Sequence, residues 1–242
     1  MWTIFRKEVN QFLNSLLGYM VLAIFLIATG LLFWVFPENS VLEYGFAEMS
    51  GFFSLTPFVF IFLVPAITMR TFAEEKKAGT LEWLLTKPLS EGQILVGKFL
   101  ASWALVLLAL LPTLVYYFSL WILGSPQGNI DSAGVTGSYL GLVLLAGVFS
   151  SIGIFGSSLT DNQLVAFMVS VFLCFFLYSG LGSAASINVW SSASGLLAYL
   201  GLDYHYQALS KGLIDFRDVI YFISVLTLML LSTLLVLHAR LW

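Results

Sequence analysis

The stretch RTFAEEKKAGTLEWLLTKPLSEGQILVGK, residues 70–98, decides how the rest of the chain is read. It carries five of the ten lysines and arginines: Arg70, Lys76, Lys77, Lys87 and Lys98. On either side lies a run without one ionisable residue, 52–69 before it and 99–123 after it. About 20 apolar residues cross the hydrocarbon of a bilayer. A charged island between two such runs therefore reads as a polar loop joining two membrane-crossing helices.

Moving outward, four more runs qualify, at 16–36, 137–159, 163–182 and 219–237, and none contains Asp, Glu, Lys, Arg or His. The first is too long for the core of a signal peptide and is followed by no Ala-x-Ala site, so it counts as a span. Of the 242 residues 60% are hydrophobic and 10% charged, against roughly 25% charged in soluble domains. The mean hydropathy is +0.96. The fold class expected is an all-α polytopic membrane protein with six transmembrane helices. Pro57, Pro65 and Pro112 fall inside spans, which is tolerable where neighbouring helices take up the freed carbonyls.

Lysine and arginine set the orientation. With the N-terminus in the cytoplasm, Arg6, Lys7, Arg70, Lys76, Lys77, Lys87, Lys98 and Arg240 lie inside, and only Lys211 and Arg217 lie outside. Both termini are then cytoplasmic. Before the first span, Trp2, Phe5, Val9, Phe12 and Leu16 fall on one helical face, with Arg6, Lys7, Asn10, Gln11 and Asn14 elsewhere. That is the pattern of an amphipathic helix in the membrane interface. Between spans five and six, SGLGSAASINVWSSASGLLAYLG (179–201) is apolar but broken by serine and glycine. One or two short re-entrant or interfacial helices on the outer side are expected there.

Within residues 70–98 two helix starts are predicted. Thr80 is placed to cap a short helix, with Glu82 in its first turn, Leu81, Leu84 and Leu85 on one face, and Pro88 as its stop. Ser90 with Gln93 forms a capping box, flanked by the hydrophobic pair Leu89 and Ile94, and opens the helix of the third span. Solvated helix ends account for Glu74, Glu75, Lys76 and Lys77. They do not account for the leucine face, which suits lipid headgroups or a groove on a partner.

Several functions are excluded or disfavoured. No G-x-x-x-x-G-K-[ST], H-E-x-x-H or G-x-S-x-G is present, so ATP hydrolysis on a P-loop is not expected of this chain. The single cysteine, Cys174, allows no intrachain disulfide, and the histidines, His205 and His238, build no metal cluster with it. No histidine inside a span is available to activate a buried serine. An ionisable residue costs about 2.5–3.5 kcal/mol at the centre of a spanning helix and is kept mainly where it works. None is present in the six runs, which disfavours ion coupling and voltage sensing. The net charge of −3 gives no reason to expect nucleic acid as a partner.

FAEEKKAGTLEWLLTKPLSEGQILVGKFLA (72–101) resembles the signature of ABC-2-type transporter permeases, E-x-x-x-G-T-L-E-x-L-L-x-x-P-[VL]-S-x-x-x-I-x-x-G-K. Glu75, Gly79, Thr80, Leu81, Glu82, Leu84, Leu85, Pro88, Leu89, Ser90, Ile94, Gly97 and Lys98 match it in order. DYHYQALSKGLIDFRDVIYF (203–222) is similar to a second stretch of that family, before the sixth span. The resemblance covers essentially the whole of 1–242 as one transmembrane domain. It is strongest toward the gliding-motility-associated permease subunit, with a copper-site-maturation branch also close.

The resemblance implies a permease subunit that is not itself catalytic and holds no cofactor, ATP being bound by a separate cytoplasmic ABC ATPase dimer. It implies a second permease subunit, either a homodimer or a related chain, a lipid environment, and location in the cell (inner) membrane. The loop between spans two and three is implied to be a coupling helix seated on the ATPase, with Glu74, Glu75, Gly79, Thr80, Leu81, Glu82, Leu84, Leu85, Pro88 and Ser90 as the coupling segment. Export or mechanical signalling follows, with a non-transporting membrane scaffold as the alternative.

Overall fold

The computed structural model describes residues 1–36, 41, 45–86, 88–186, 194–212 and 215–239, and every regular element among them is helical. Helix α1 (Trp2–Leu13) is separated from α2 (Leu16–Trp34) by a break at which the Ser15 hydroxyl accepts the Gly18 N–H. Then come α3 (Ser50–Thr68), two short helices, α4 (Ala73–Lys77) and α5 (Thr80–Leu85), and α6 (Glu91–Leu110). A 3₁₀ turn at Leu111–Thr113, where Pro112 lies, joins α6 to α7 (Leu114–Leu123). α8 (Ser132–Leu159) and α9 (Gln163–Phe175) follow, the latter running through a π turn (Phe176–Gly180) into α10 (Leu181–Ala185). The chain closes with α11 (Ser194–Tyr199), α12 (Leu202–Ser210) and α13 (Phe216–His238).

Among the described residues, six helical stretches are long and apolar enough to cross a membrane: Leu16–Trp34, Ser50–Lys77, Glu91–Leu123, Ser132–Leu159, Gln163–Ala185 and Phe216–His238. The chain is a multi-pass membrane protein with six candidate spans. Several of these helices begin before the apolar runs do. Side-chain caps set their starts: Ser90 for α6, Asp131 for α8 and Asp215 for α13. A cap satisfies N–H groups that the first turn leaves unpaired, so a helix starts at its cap while hydropathy rises later. The extension brings Lys98 and Asp218 inside the spanning helices.

α8 is the central post. Of its apolar window 78% is buried, against 11% for α13 and 22% for α2, and it packs against α3, α6, α9, α12 and α13. Small residues permit the close approach. A Cβ at Gly153 would lie 1.9 Å from the Thr68 hydroxyl oxygen of α3, and one at Gly156 would lie 2.2 Å from that of Ser170 on α9. The outer helices instead expose large apolar side chains, such as Ile24 and Ile27 on α2, Met168 and Phe172 on α9, and Leu228 and Leu231 on α13. That is the surface lipid tails require.

Pro57 in α3 cannot donate to the Phe53 carbonyl one turn back. The Tyr206 hydroxyl of α12 donates to that carbonyl instead, at 2.7 Å. Near the same pole, His205 is fully buried and stacks on Tyr221 at 3.9 Å. Its Nε2 lies 2.8 Å from the Tyr199 carbonyl and its Nδ1 lies 2.6 Å from Asp218. A carbonyl only accepts, so Nε2 carries a hydrogen, and α12 is fastened to the start of α13. Within 179–201 the described residues hold α10, which continues the fifth candidate span, and the short α11, with α12 following at Leu202–Ser210; 187–193 lie outside the described residues.

Candidate functional site

The segment after α3 folds back on the pole that holds the N-terminus. α4 is AEEKK, with Glu74 and Glu75 in its first turn and Lys76 and Lys77 in its last, an order that suits the helix dipole. It stops at Gly79, whose φ of +67° is the left-handed conformation that favours glycine. The same glycine is the N-cap of α5. Thr80 is therefore not the cap expected from the sequence. It is the first helical residue, and its hydroxyl reaches back to the Glu75 carbonyl at 3.3 Å. The tight reversal needs a residue without a Cβ at the cap, and this displaces Thr80 by one position. α4 itself was not expected, because five residues are too few to show a period.

The capping box at α6 is present. The Ser90 hydroxyl accepts the Gln93 N–H at 3.3 Å, and the Gln93 side-chain oxygen accepts the Ser90 N–H at 3.4 Å. Ile94 is buried and Leu89 half-buried, while Pro88 is exposed just beyond α5.

On α5, Leu81 turns inward. It is buried with Phe72, Leu95, Phe99, Ile154 and Leu237, and so rests on the ends of α6, α8 and α13. Leu84 is half-buried, and the Leu85 side chain and Lys87 lie outside the described residues. Glu82 is exposed, and Trp83 is 77% exposed. A leucine face at i, i+3 and i+4 drew attention away from the tryptophan beside it.

Under α4 sits a charged knot. Lys98, on α6, is fully buried. Its ammonium donates to Glu8 of α1 at 2.8 Å and to the Thr71 carbonyl at 2.6 Å, and it pairs with Glu75 of α4 at 2.9 Å. The ring of Phe72 lies 5.0 Å below it. The other Glu75 oxygen accepts Lys7 of α1, also at 2.9 Å. Burial draws the Lys7 ammonium down, but the bond to Glu75 and the charges of Glu75, Glu8 and Glu74 outweigh it and hold Lys7 above the ordinary lysine value. α4 is also tied to α8: the Ser157 hydroxyl accepts the N–H groups of Phe72 and Ala73, both at 3.0 Å, and donates to the Met69 carbonyl at 2.9 Å. Lys76 donates to the Ser158 carbonyl.

Of the candidate residues, Glu75 faces this knot and Leu81 the bundle, while Glu82 and Pro88 stay at the surface. Glu74 is half-buried beside a cavity described below. The sequence reading missed Glu8, Ser157, Ser158 and Trp83. Glu8 and Lys98 are 90 positions apart, so no local pattern announces their bond. Among the described residues no cluster of His, Cys, Asp and Glu is arranged to hold a metal. The geometry fixes a two-helix hook to α1, α6 and α8 through charges and hydroxyls, with a tryptophan facing away from the bundle.

A family model described as ABC-2 family transporter protein matches residues 2–239. Over 114 residues, 46% of this chain, the sequence is 31% identical to the probable ABC transporter permease protein NosY of Pseudomonas aeruginosa. That match covers 41% of the relative, so the chain aligns with less than half of its length. With six apolar helices and a match that runs nearly end to end, the chain belongs to the ABC-2 family of transporter proteins.

Proposed function

We propose that this chain is the membrane subunit of an ABC-2 transporter, driven from the cytoplasm by a separate ATPase subunit that docks on α4 and α5. The observation that carries the reading is the opposed orientation of neighbours on α5: Leu81 is locked into the bundle, and Trp83 stands exposed next to Glu82. Tryptophan is the residue type most enriched among interface anchors, and the ion-pair knot gives a push on α5 somewhere to go. Trp83 supplies the anchor for the ATPase and Glu82 the charge, while Glu75 serves inside the subunit.

The excess of Lys and Arg at this pole supports a cytoplasmic position for it. α1 lies in the interface, with Trp2 and Phe5 stacked at 5.0 Å and Trp2 exposed. The exposed faces of the outer helices meet lipid and a second permease subunit. The work done is export or mechanical signalling, and resemblance to the gliding-motility branch makes a surface apparatus the proposed setting.

The test is copurification with the cognate ATPase. Trp83→Ala and Glu82→Arg are expected to weaken the complex at least tenfold and to lower ATPase stimulation, as truncation of an anchor does. Thermal unfolding of the free subunit should stay unchanged. Undiminished binding by both variants refutes the docking surface.

A further inference from the structure

Beside the charged knot, between α1 and the α3–α4 junction, lies a cavity of about 280 Å³. Its wall includes the apolar Phe12, Ile67 and Leu105. Arg70 and Glu74 line it as well, next to Lys7, Glu8 and Glu75 of the knot. Both carry a buried polar atom with no hydrogen-bond partner among the described residues: Nε of Arg70 and Oε2 of Glu74.

The neighbouring charges are already matched. Lys98 and Lys7 bind Glu8 and Glu75. Arg70 and Glu74 take no part in those pairs, and both are half-buried. Each keeps one polar atom shut off from solvent without a hydrogen bond, which is costly to leave unmade, so each calls for a partner. Arg70 and Glu74 stand one helical turn apart, the Glu74 N–H donating to the Arg70 carbonyl at 3.2 Å.

We infer that this cavity holds the headgroup of a zwitterionic phospholipid bearing a primary amine, its phosphate on Arg70 and its ammonium on Glu74. Guanidinium and phosphate match as a charge-assisted pair. A ligand with both charges leaves the site neutral, whereas an anionic lipid would leave Glu74 unanswered beside added negative charge. The orphan oxygen of Glu74 needs an N–H donor. An ethanolamine headgroup supplies one and a trimethylammonium headgroup does not. The apolar wall takes the start of the acyl chains. The inference rests on the reading that puts this pole at headgroup level, and it does not depend on the ATPase.

Native mass spectrometry of the purified chain, titrated with phosphatidylethanolamine, phosphatidylcholine and phosphatidylglycerol, tests it. Phosphatidylethanolamine should bind about tenfold more tightly than the other two, the worth of one charge-assisted hydrogen bond. Glu74→Met should abolish the preference over phosphatidylcholine. Arg70→Gln should weaken both lipids about tenfold, and Arg70→Lys should restore most of that loss. Trp83→Ala should change none of this, which separates the lipid site from the docking surface.

Equal binding of the amine and choline lipids by the unaltered chain would overturn the inference and leave Arg70 and Glu74 to pair directly. So would a preference that survives Glu74→Met. Equally tight binding of water-soluble glycerophosphoethanolamine would overturn the lipid source in favour of a soluble phosphate.

Discussion

Replacing Lys98 by methionine keeps most of the side chain's volume and removes its charge. The ammonium is fully buried, with carboxylates at 2.8 and 2.9 Å and a carbonyl at 2.6 Å. At an effective dielectric of about 20, one such carboxylate contact is worth about 6 kcal/mol of Coulomb energy before desolvation. Desolvation cancels much of that in the intact knot. It does not cancel in the variant, where Glu8 and Glu75, with side chains 17% and 12% exposed, keep only the half-exposed Lys7 as a cation. Breaking a buried pair on one side costs about 3–5 kcal/mol, and that is the loss expected. Lys7→Met is the control. Lys7 binds the same Glu75, but its side chain is 52% exposed, and such pairs are worth about 0–1 kcal/mol. Equilibrium unfolding by a denaturing detergent, followed by tryptophan fluorescence, reads both. Adding Glu8→Gln and Glu75→Gln to Lys98→Met should recover most of the loss, because no stranded charge then remains. A Lys98→Met variant within about 1 kcal/mol of the parent, or a triple variant no better than the single one, refutes the electrostatic account.

Three further outcomes are expected in the same assay. Tyr206→Phe should cost about 1–3 kcal/mol by stranding the Phe53 carbonyl; in a Pro57→Ala background the cost should shrink, since the helix then supplies its own N–H. Ser157→Ala should cost a similar amount, about 1–3 kcal/mol, and should speed amide hydrogen exchange at Phe72 and Ala73, which lose their acceptor. Gly153→Ala should destabilise by about 1–3 kcal/mol, because the new methyl meets Thr68 and α3 must move away from α8.

Much of the fold was legible because hydropathy is a local property. Six runs free of charge coincide with six candidate spanning helices among the described residues, and the Ser90–Gln93 box opens α6 where the residues said it should. Proline at position 57 announced a freed carbonyl, though not that Tyr206 would answer it from 153 positions away along the chain. The candidate site was legible as a segment and obscure in its parts. Glu75 looked like a solvated carboxylate, and only the fold brings Lys7 and Lys98 to it. Thr80 looked like a cap because the left-handed turn at Gly79 leaves no trace in hydropathy. His205 and Asp218 both lie in the stretch 203–222, but their bond depends on α12 folding back against α13. Apart from the local turn at Gly79, each of these misses is a contact between elements, which periodicity does not report.

The two poles of α8 are held in different ways, and this bears on how a push would travel. Near its start, α8 meets α12 through shape: Gly137 and Gly141 let Leu209 and Tyr206 approach closely, and the Ser138 hydroxyl donates to the Ser210 carbonyl at 3.1 Å. At its end, Ser157 and Ser158 hold α4 through hydrogen bonds. Packed cores shift between discrete arrangements rather than deform continuously. A hook fastened at Ser157 therefore cannot move far on its own: it either breaks those bonds or carries the end of α8 with it. Near that end α8 packs against α3, α6, α9 and α13, so its displacement is passed to four other long helices. Under the proposed docking on α5, the serines at the end of α8, more than the leucines of the hook, set how much of an ATPase stroke reaches the membrane.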